Sequence, residues 1–317
     1  MIDYAVFLLL AAGLPYGCSA GNVKGGAGGA GSAEAECRSD VAKTEEAQLD
    51  VTTFDLRRAV YVAEDSAEVV KLLGLPVEGG SDVLHFARHF LGRPYVGHTL
   101  EVCDPERLVV NLRELDCTTL VETVVSLVRC HRRGERSFEA FCYHLERIRY
   151  RGGEMDGYLS RLHYFDWWMR DNVAKRFVRE VSDSLHWTAK MVVRDTYMSA
   201  QPEKYKMLRL HPEWADSIRR MERRWNGSEG RYLPEAATGL KRADLPAIED
   251  GDIVAIVTKK AGLDYSHLGF AVWGSDGRLH LLNASSIHKQ VVEEPKTLRR
   301  YLREHPSSVG IRLLRIL

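Results

Sequence analysis

The sequence carries no surplus of charge, with Lys plus Arg totalling 44 and Asp plus Glu totalling 44. A chain whose main task is gripping nucleic acid usually has a basic excess, so the balance argues against that class. A long apolar run is also missing. Crossing a bilayer as a helix takes about 20 apolar residues, and residues 5–14 (AVFLLLAAGL) fall well short of that. Six cysteines are present, with no CxxC pair and no Cys/His cluster at zinc spacing. That excludes a dense disulfide framework and a zinc site. His85 and His89 stand four apart, yet the Glu of HExxH is absent and no third ligand is evident. No metal and no cofactor are expected. No internal repeat is visible.

What is present begins with an apolar segment suited to a secretory signal. It leads into residues 14–18 (LPYGC), in which a small residue precedes Cys18. That pattern resembles a bacterial lipoprotein signal, so residues 1–17 are expected to be removed and Cys18 lipidated. The chain is then exported to the periplasm or cell envelope and meets the membrane only through that lipid. Residues 26–31 (GAGGAG) match GxGxxG formally. No strand precedes them and no apolar helix follows, so residues 18–50 read as a flexible tether instead.

At 45% hydrophobic residues the rest can build a real core. Apolar spacing predicts helices near residues 54–73 and over 83–91. A short apolar run at 108–112 leads to Asp116 and Cys117. Beyond it, Leu120, Val121, Val124, Val125 and Val128 fall on one helical face, with Asp116 as cap and Arg129, Arg132 and Arg133 at the far end. From residue 252 the period becomes two. Strands are predicted at 252–258, 267–273, 278–284 and 309–316, with a turn at 274–277. Helices first and a strand meander after give an α+β fold. Residues 51–317 read as one domain, with a helical insertion at about 135–250.

Cys117 therefore opens a helix, a place that favours thiolate. Such a nucleophile needs a His from elsewhere in the fold and a polar group to orient it. His267 opens a strand and is followed by small Gly269. Asn283, on the next strand, can hold its tautomer. Taken alone, these residues are weak evidence, since a lone Cys is more often buried structure and a strand-edge His is often without a role.

Several ordered segments narrow the choice. Residues 115–122 (LDCTTLVE) resemble the nucleophile segment of the NlpC/P60 superfamily, 91–95 (LGRPY) its active-site Tyr segment, 251–254 (GDIV) its first core strand and 266–271 (SHLGFA) its His strand. Residues 149–153 (RYRGG), 160–165 (SRLHYF) and 282–286 (LNASS) resemble the DUF1460 branch, described as N-acetylmuramoyl-L-alanine amidase-like. The resemblance spans most of residues 80–316. It implies a papain-like core enlarged by the insertion and a peptidoglycan or muropeptide substrate. It also implies Cys117 as nucleophile, His267 as base and Asn283 as orienting residue, a position that is His in some relatives. Tyr95 would sit beside the nucleophile. Asp116 would cap the helix, contact substrate, or both.

Residues 158–172 (YLSRLHYFDWWMRDN) are rich in flat rings and directional donors, as a glycopeptide site requires. Arg161, His163, Tyr164 and Trp167 are the candidate substrate contacts; Tyr164 and Trp167 equally suit packing of the insertion. The expected activity is cleavage of the N-acetylmuramoyl-L-alanine amide, probed against three rivals. These are an endopeptidase cutting between D-glutamate and the diamino acid, a catalytically silent envelope-binding lipoprotein, and an acyltransferase.

Overall fold

The computed structural model describes residues 54–317. The expected signal, lipidated Cys18 and tether all lie outside these residues. The described chain opens with β1 (Ala59–Val60), α1 (Ala63–Gly74), α2 (Asp82–Arg88), β2 (Leu108–Val109), α3 (Cys117–Arg132), α4 (Phe138–Arg149) and α5 (Phe165–Ala174). Next come β3 (Val178–Val181), β4 (Ala189–Val192), α6 (Tyr197–Ala200), α7 (Lys206–Leu210), α8 (Trp214–Trp225) and β5 (Glu229–Pro234). It closes with β6 (Ile253–Thr258), β7 (Tyr265–Trp273), β8 (Leu279–Ser285), β9 (Gln290–Glu293), α9 (Leu298–Arg303) and β10 (Ser308–Ile316). No helix among the described residues is long and apolar enough to cross a membrane.

The four expected strands are β6, β7, β8 and β10. They form the centre of an antiparallel sheet ordered β4-β5-β10-β6-β7-β8-β9, with β3 also on β10. β6 is buried at all six positions because both faces of the sheet are covered. Side chains alternate between two cores. Ala255, Phe270, Val272, Leu282 and Ala284 join the helical core with Leu120, Val124 and Val128 of α3. Val254, Ile256, Ala271, Leu281 and Leu313 join a second core closed by Leu298 and Leu302 of α9.

The segment expected as a helical insertion, 135–250, is mixed in content. It contains helices, but also β3, β4 and β5. β10 is long and β6 satisfies only one of its edges. Its other edge takes β3 at Leu313–Ile316 and β5 at Gly310–Ile311, which removes an open row of backbone donors and acceptors. These strands are short and have little clean apolar alternation, so the sequence pattern did not reveal them.

Candidate active site

The start of α3 is fixed locally. Asp116 Oδ1 accepts from the Thr119 N–H at 2.8 Å, and the Asp116 N–H donates to Thr119 Oγ1 at 2.9 Å. This reciprocal cap satisfies two otherwise orphaned donors and makes Cys117 the first helical residue. The segment before it is clamped to another. Tyr95 bridges Leu115 in parallel, and the Leu115 N–H donates to the Pro94 carbonyl at 3.1 Å. Tyr95 is thereby held beside Leu115, two residues before Cys117.

The imidazole comes from β7 and its partner from β8. Pairing of Phe270 with Leu282 sets Gly269 opposite Asn283, with His267 two residues along on the same face. His267 Nε2 donates to Asn283 Oδ1 at 2.8 Å. Asn283 Nδ2 donates in turn to Glu294 Oε1 at 3.4 Å, so the carboxylate fixes which end of the amide meets the ring. Nε2 carries the proton, and the neutral ring keeps its lone pair at Nδ1. Tyr301 of α9 stacks on His267, with centroids 6.5 Å apart. Gly269 permits the close approach: a Cβ there would lie 2.5 Å from the Leu282 carbonyl oxygen and 3.0 Å from Asn283 Cβ.

Cys117 and His267 line one cavity of about 250 Å³, with Tyr95, Asp116, His163 and Tyr164 also in its wall. Burial pushes the Cys117 thiol up to about 12, and the Asp116 charge adds to this. The Leu268 N–H on the sulfur pulls the other way without offsetting it. Sequence position favoured a thiolate; here desolvation outweighs the helix terminus. Burial also holds His267 below the ordinary histidine value, only partly opposed by its bond to Asn283. The resting pair is a thiol and a neutral imidazole. Such a pair can pass the thiol proton to the ring as sulfur attacks an electrophile.

Asn283 is fully buried behind His267 and does not reach the cavity. His163 lines the wall with Nε2 donating to the Tyr158 carbonyl at 2.9 Å. Tyr164 presents its ring, but its hydroxyl is taken up by Glu222 at 2.7 Å and the Met198 N–H at 2.8 Å. Two expected substrate contacts are not brought to the cavity wall. Arg161 is buried in ion pairs with Glu101 and with Glu106, the latter at 2.7 Å, and lies outside the cavity lining. Its guanidinium needs two carboxylates because a buried charge must be paired. Trp167 is 2% exposed, packs on Tyr164 and also lies outside the lining.

Sequence reading missed His98, Lys260, Tyr301 and His305 in the wall, and Glu294 behind Asn283. None belongs to a local motif, and each reaches the site through a loop or a distant element. His98 carries one faint signal, following Gly97 in a segment where its backbone adopts φ +70°.

Cys130, Glu135 and His144 lie within metal-ligand range of one another. Both His144 ring nitrogens are already engaged, Nε2 with Glu135 at 2.6 Å and Nδ1 with Arg129 at 3.4 Å. Cys103, Cys117, Cys130 and Cys142 are free thiols.

Fold and site together define an α+β protein with a cysteine opening a buried helix beside a His–Asn pair. The chain belongs to the AmiA-like family, described as N-acetylmuramoyl-L-alanine amidase-like, which matches residues 85–311. It is similar to a crystal structure named as an N-acetylmuramoyl-L-alanine amidase from Bacteroides uniformis. The identity is 40% over 74% of this chain and 97% of that one, with a TM-score of 0.69. A Bacteroides fragilis structure, provisionally named a xylanase, is 39% identical over 73% of this chain and 99% of that one, with a TM-score of 0.67. A Legionella pneumophila protein of the DUF1460 family shares the fold, at 20% identity over 80% of this chain and 95% of that one, with a TM-score of 0.62. No curated protein matches the chain.

Proposed function

We propose that this protein is a cysteine amidase hydrolysing the bond between N-acetylmuramic acid and L-alanine, on muropeptide fragments. Family membership supports the bond. The observation that carries the mechanism is the 2.8 Å contact from His267 Nε2 to Asn283 Oδ1 in the wall that also holds Cys117.

In this reading Cys117 Sγ attacks the lactyl carbonyl carbon while His267 Nδ1 takes the thiol proton. The Cys117 N–H at the helix start faces the developing oxyanion, and the Tyr95 hydroxyl assists it. Collapse breaks the C–N bond, and His267 returns the proton to the leaving L-alanine amine. Water then attacks the thioester, giving its proton to His267 and releasing the free acid and the thiol. The core is of the NlpC/P60, papain-like type. Support for this is the nucleophile helix packed on an antiparallel sheet whose neighbouring strands carry His and Asn. Export and lipid anchoring at Cys18 are part of the proposal and rest on residues 5–18 alone.

A glycosidase reading, prompted by the xylanase name, is not favoured. Glycoside hydrolysis ordinarily needs two carboxyl groups flanking the bond. Asp116 is the sole Asp or Glu among the described lining residues, and its Oδ1 is committed to the cap.

A muropeptide digest read by mass spectrometry tests the proposal. Free stem peptide beginning at L-alanine is expected from wild type and absent with Cys117→Ala. A released L-alanyl-D-glutamate dipeptide would instead make the protein an endopeptidase. Unchanged hydrolysis in the variant would remove Cys117 from the mechanism.

A further inference from the structure

α8 turns one face inward and one face out. Ile218 and Glu222 are buried. Glu222 Oε1 accepts from the Tyr164 hydroxyl at 2.7 Å and from the Ser199 N–H at 3.1 Å, so the inner face props up a residue of the cavity wall. The outer face is exposed at Asp216, Arg219, Arg220, Arg223 and Arg224. Asp216 pairs with Arg219. Four guanidiniums against one carboxylate leave this face at +3, in a chain whose formal net charge is +0. Arg151 adds a guanidinium at its margin, with Nη2 donating to Met221 Sδ at 3.2 Å.

A face kept only for solubility mixes both signs. Here Arg219 and Arg223, and Arg220 and Arg224, are like-charge pairs four apart, an arrangement that disfavours a helix. The helix dipole welcomes Arg223 and Arg224 in the last turn but not Arg219 and Arg220 a turn earlier. Glu222 relieves none of this, because it points into the fold. An anionic surface laid over the face removes the repulsion. Trp214 and Trp225 stand half-buried at the two ends of the helix. The guanidiniums of Arg170 and Arg224 lie over the Trp225 ring, 4.9 and 5.3 Å from its centroid. Trp, an apolar ring with one polar edge, suits a layer of lipid headgroups.

The occupant follows from where the domain is held. In the reading above Cys18 carries a lipid, and Phe54 follows it by 36 residues. A Gly-rich chain of that length averages about 33 Å from end to end. Headgroups then stay within reach of the domain, and a weak charge contact is enough. Resting on that lipid-anchor part of the proposed function, we propose that the outer face of α8 docks on an anionic phospholipid surface through Arg219, Arg220, Arg223 and Arg224. The membrane contact expected from the sequence was the lipid alone. The helix supplies a second contact, which sets the side of the domain that faces the bilayer. Glu222 and Tyr164 link that side to the cavity wall.

Sedimentation of the full chain with vesicles tests this, with Cys18→Ser blocking lipidation so that the helix acts alone. Vesicles of equal phosphatidylglycerol and phosphatidylcholine are compared with pure phosphatidylcholine. One basic charge beside an anionic surface is worth about fivefold in binding. Three net charges therefore predict a preference of about 100-fold for the anionic vesicles, fading at high salt. Changing Arg220, Arg223 and Arg224 together by Arg→Gln should abolish the preference, with thermal unfolding no lower than in the parent and hydrolysis of soluble muropeptides unchanged. Arg→Lys at the same three positions should keep it, because a lipid surface reads charge and not the planar fork. Equal binding to the two vesicles, or a preference that survives the triple Arg→Gln change, overturns the docking face. Binding to isolated peptidoglycan that is lost with those changes, without any vesicle preference, assigns the face to the wall polymer and also overturns it. Labelling of wild type with palmitate in cells is scored separately. Its absence sinks the lipid anchor, while the vesicle comparison still decides the face.

Discussion

His267 reaches Asn283 across the diagonal of a hairpin and donates Nε2–H to Oδ1 at 2.8 Å. Asn283 can present only that oxygen because its Nδ2 is directed to Glu294. The ring is thus held with its lone-pair nitrogen available. Asn283→Ala should lower kcat about 100-fold, the low end of what positioned acid–base catalysis contributes. Glu294→Gln weakens the anchor without removing an acceptor and should cost about fivefold, the equivalent of about 1 kcal/mol. Steady-state kinetics on a muropeptide check both, with KM expected to stay near wild type. An equal loss in the two variants would mean that Glu294 does more than orient the amide.

A resting thiol and neutral imidazole make a specific pH signature. Protonated His267 cannot accept the thiol proton, and burial holds it below the ordinary value near 6.5. Activity should therefore persist below pH 6.5 and fall as pH drops through the lowered value. Because Cys117 lies near 12, no thiolate is expected at neutral pH in the free enzyme. The difference in ultraviolet thiolate absorbance between wild type and Cys117→Ser should stay flat there. A full thiolate signal at pH 7 would establish a preformed ion pair instead.

Arg161 separates packing from recognition. Removing one partner of a buried ion pair typically costs about 3–5 kcal/mol. Arg161→Met leaves Glu101 and Glu106 without their shared cation, so thermal unfolding should shift down markedly. The KM of the protein that remains folded should be unchanged. A raised KM at undiminished stability would return Arg161 to the substrate.

Gly269 is a second structural control. A methyl group there would press on the Leu282 carbonyl and on Asn283, and overpacking of this kind costs about 1–3 kcal/mol. Gly269→Ala should destabilise the hairpin and lower kcat by displacing Asn283. Calorimetry and kinetics should move together; a stable, fully active variant would show that the strands part without disturbing His267.

The local grammar of the chain determined most of what surrounds Cys117. The Asp116 cap, the apolar stripe after it and the Gly-rich turn between β7 and β8 are written within a few residues of one another. Cap chemistry and side-chain period act over that range. The strands 252–258, 267–273, 278–284 and 309–316 were legible for the same reason. Segments carrying Tyr95, His267 and Asn283 were legible through their likeness to a family, not through spacing.

Tertiary structure decided the rest. Whether Arg161 and Trp167 face a ligand or the core depends on which neighbours cover them, and Glu101 and Glu106 lie more than 50 residues from Arg161 in sequence. β3 and β5 exist because β10 leaves an edge to be paired, a need that no short window reveals. Glu294, Lys260, Tyr301 and His305 join the site only once the sheet is registered. Desolvation, too, belongs to the folded state: the helix start favoured a thiolate at Cys117, and the burial that folding imposes keeps it a thiol.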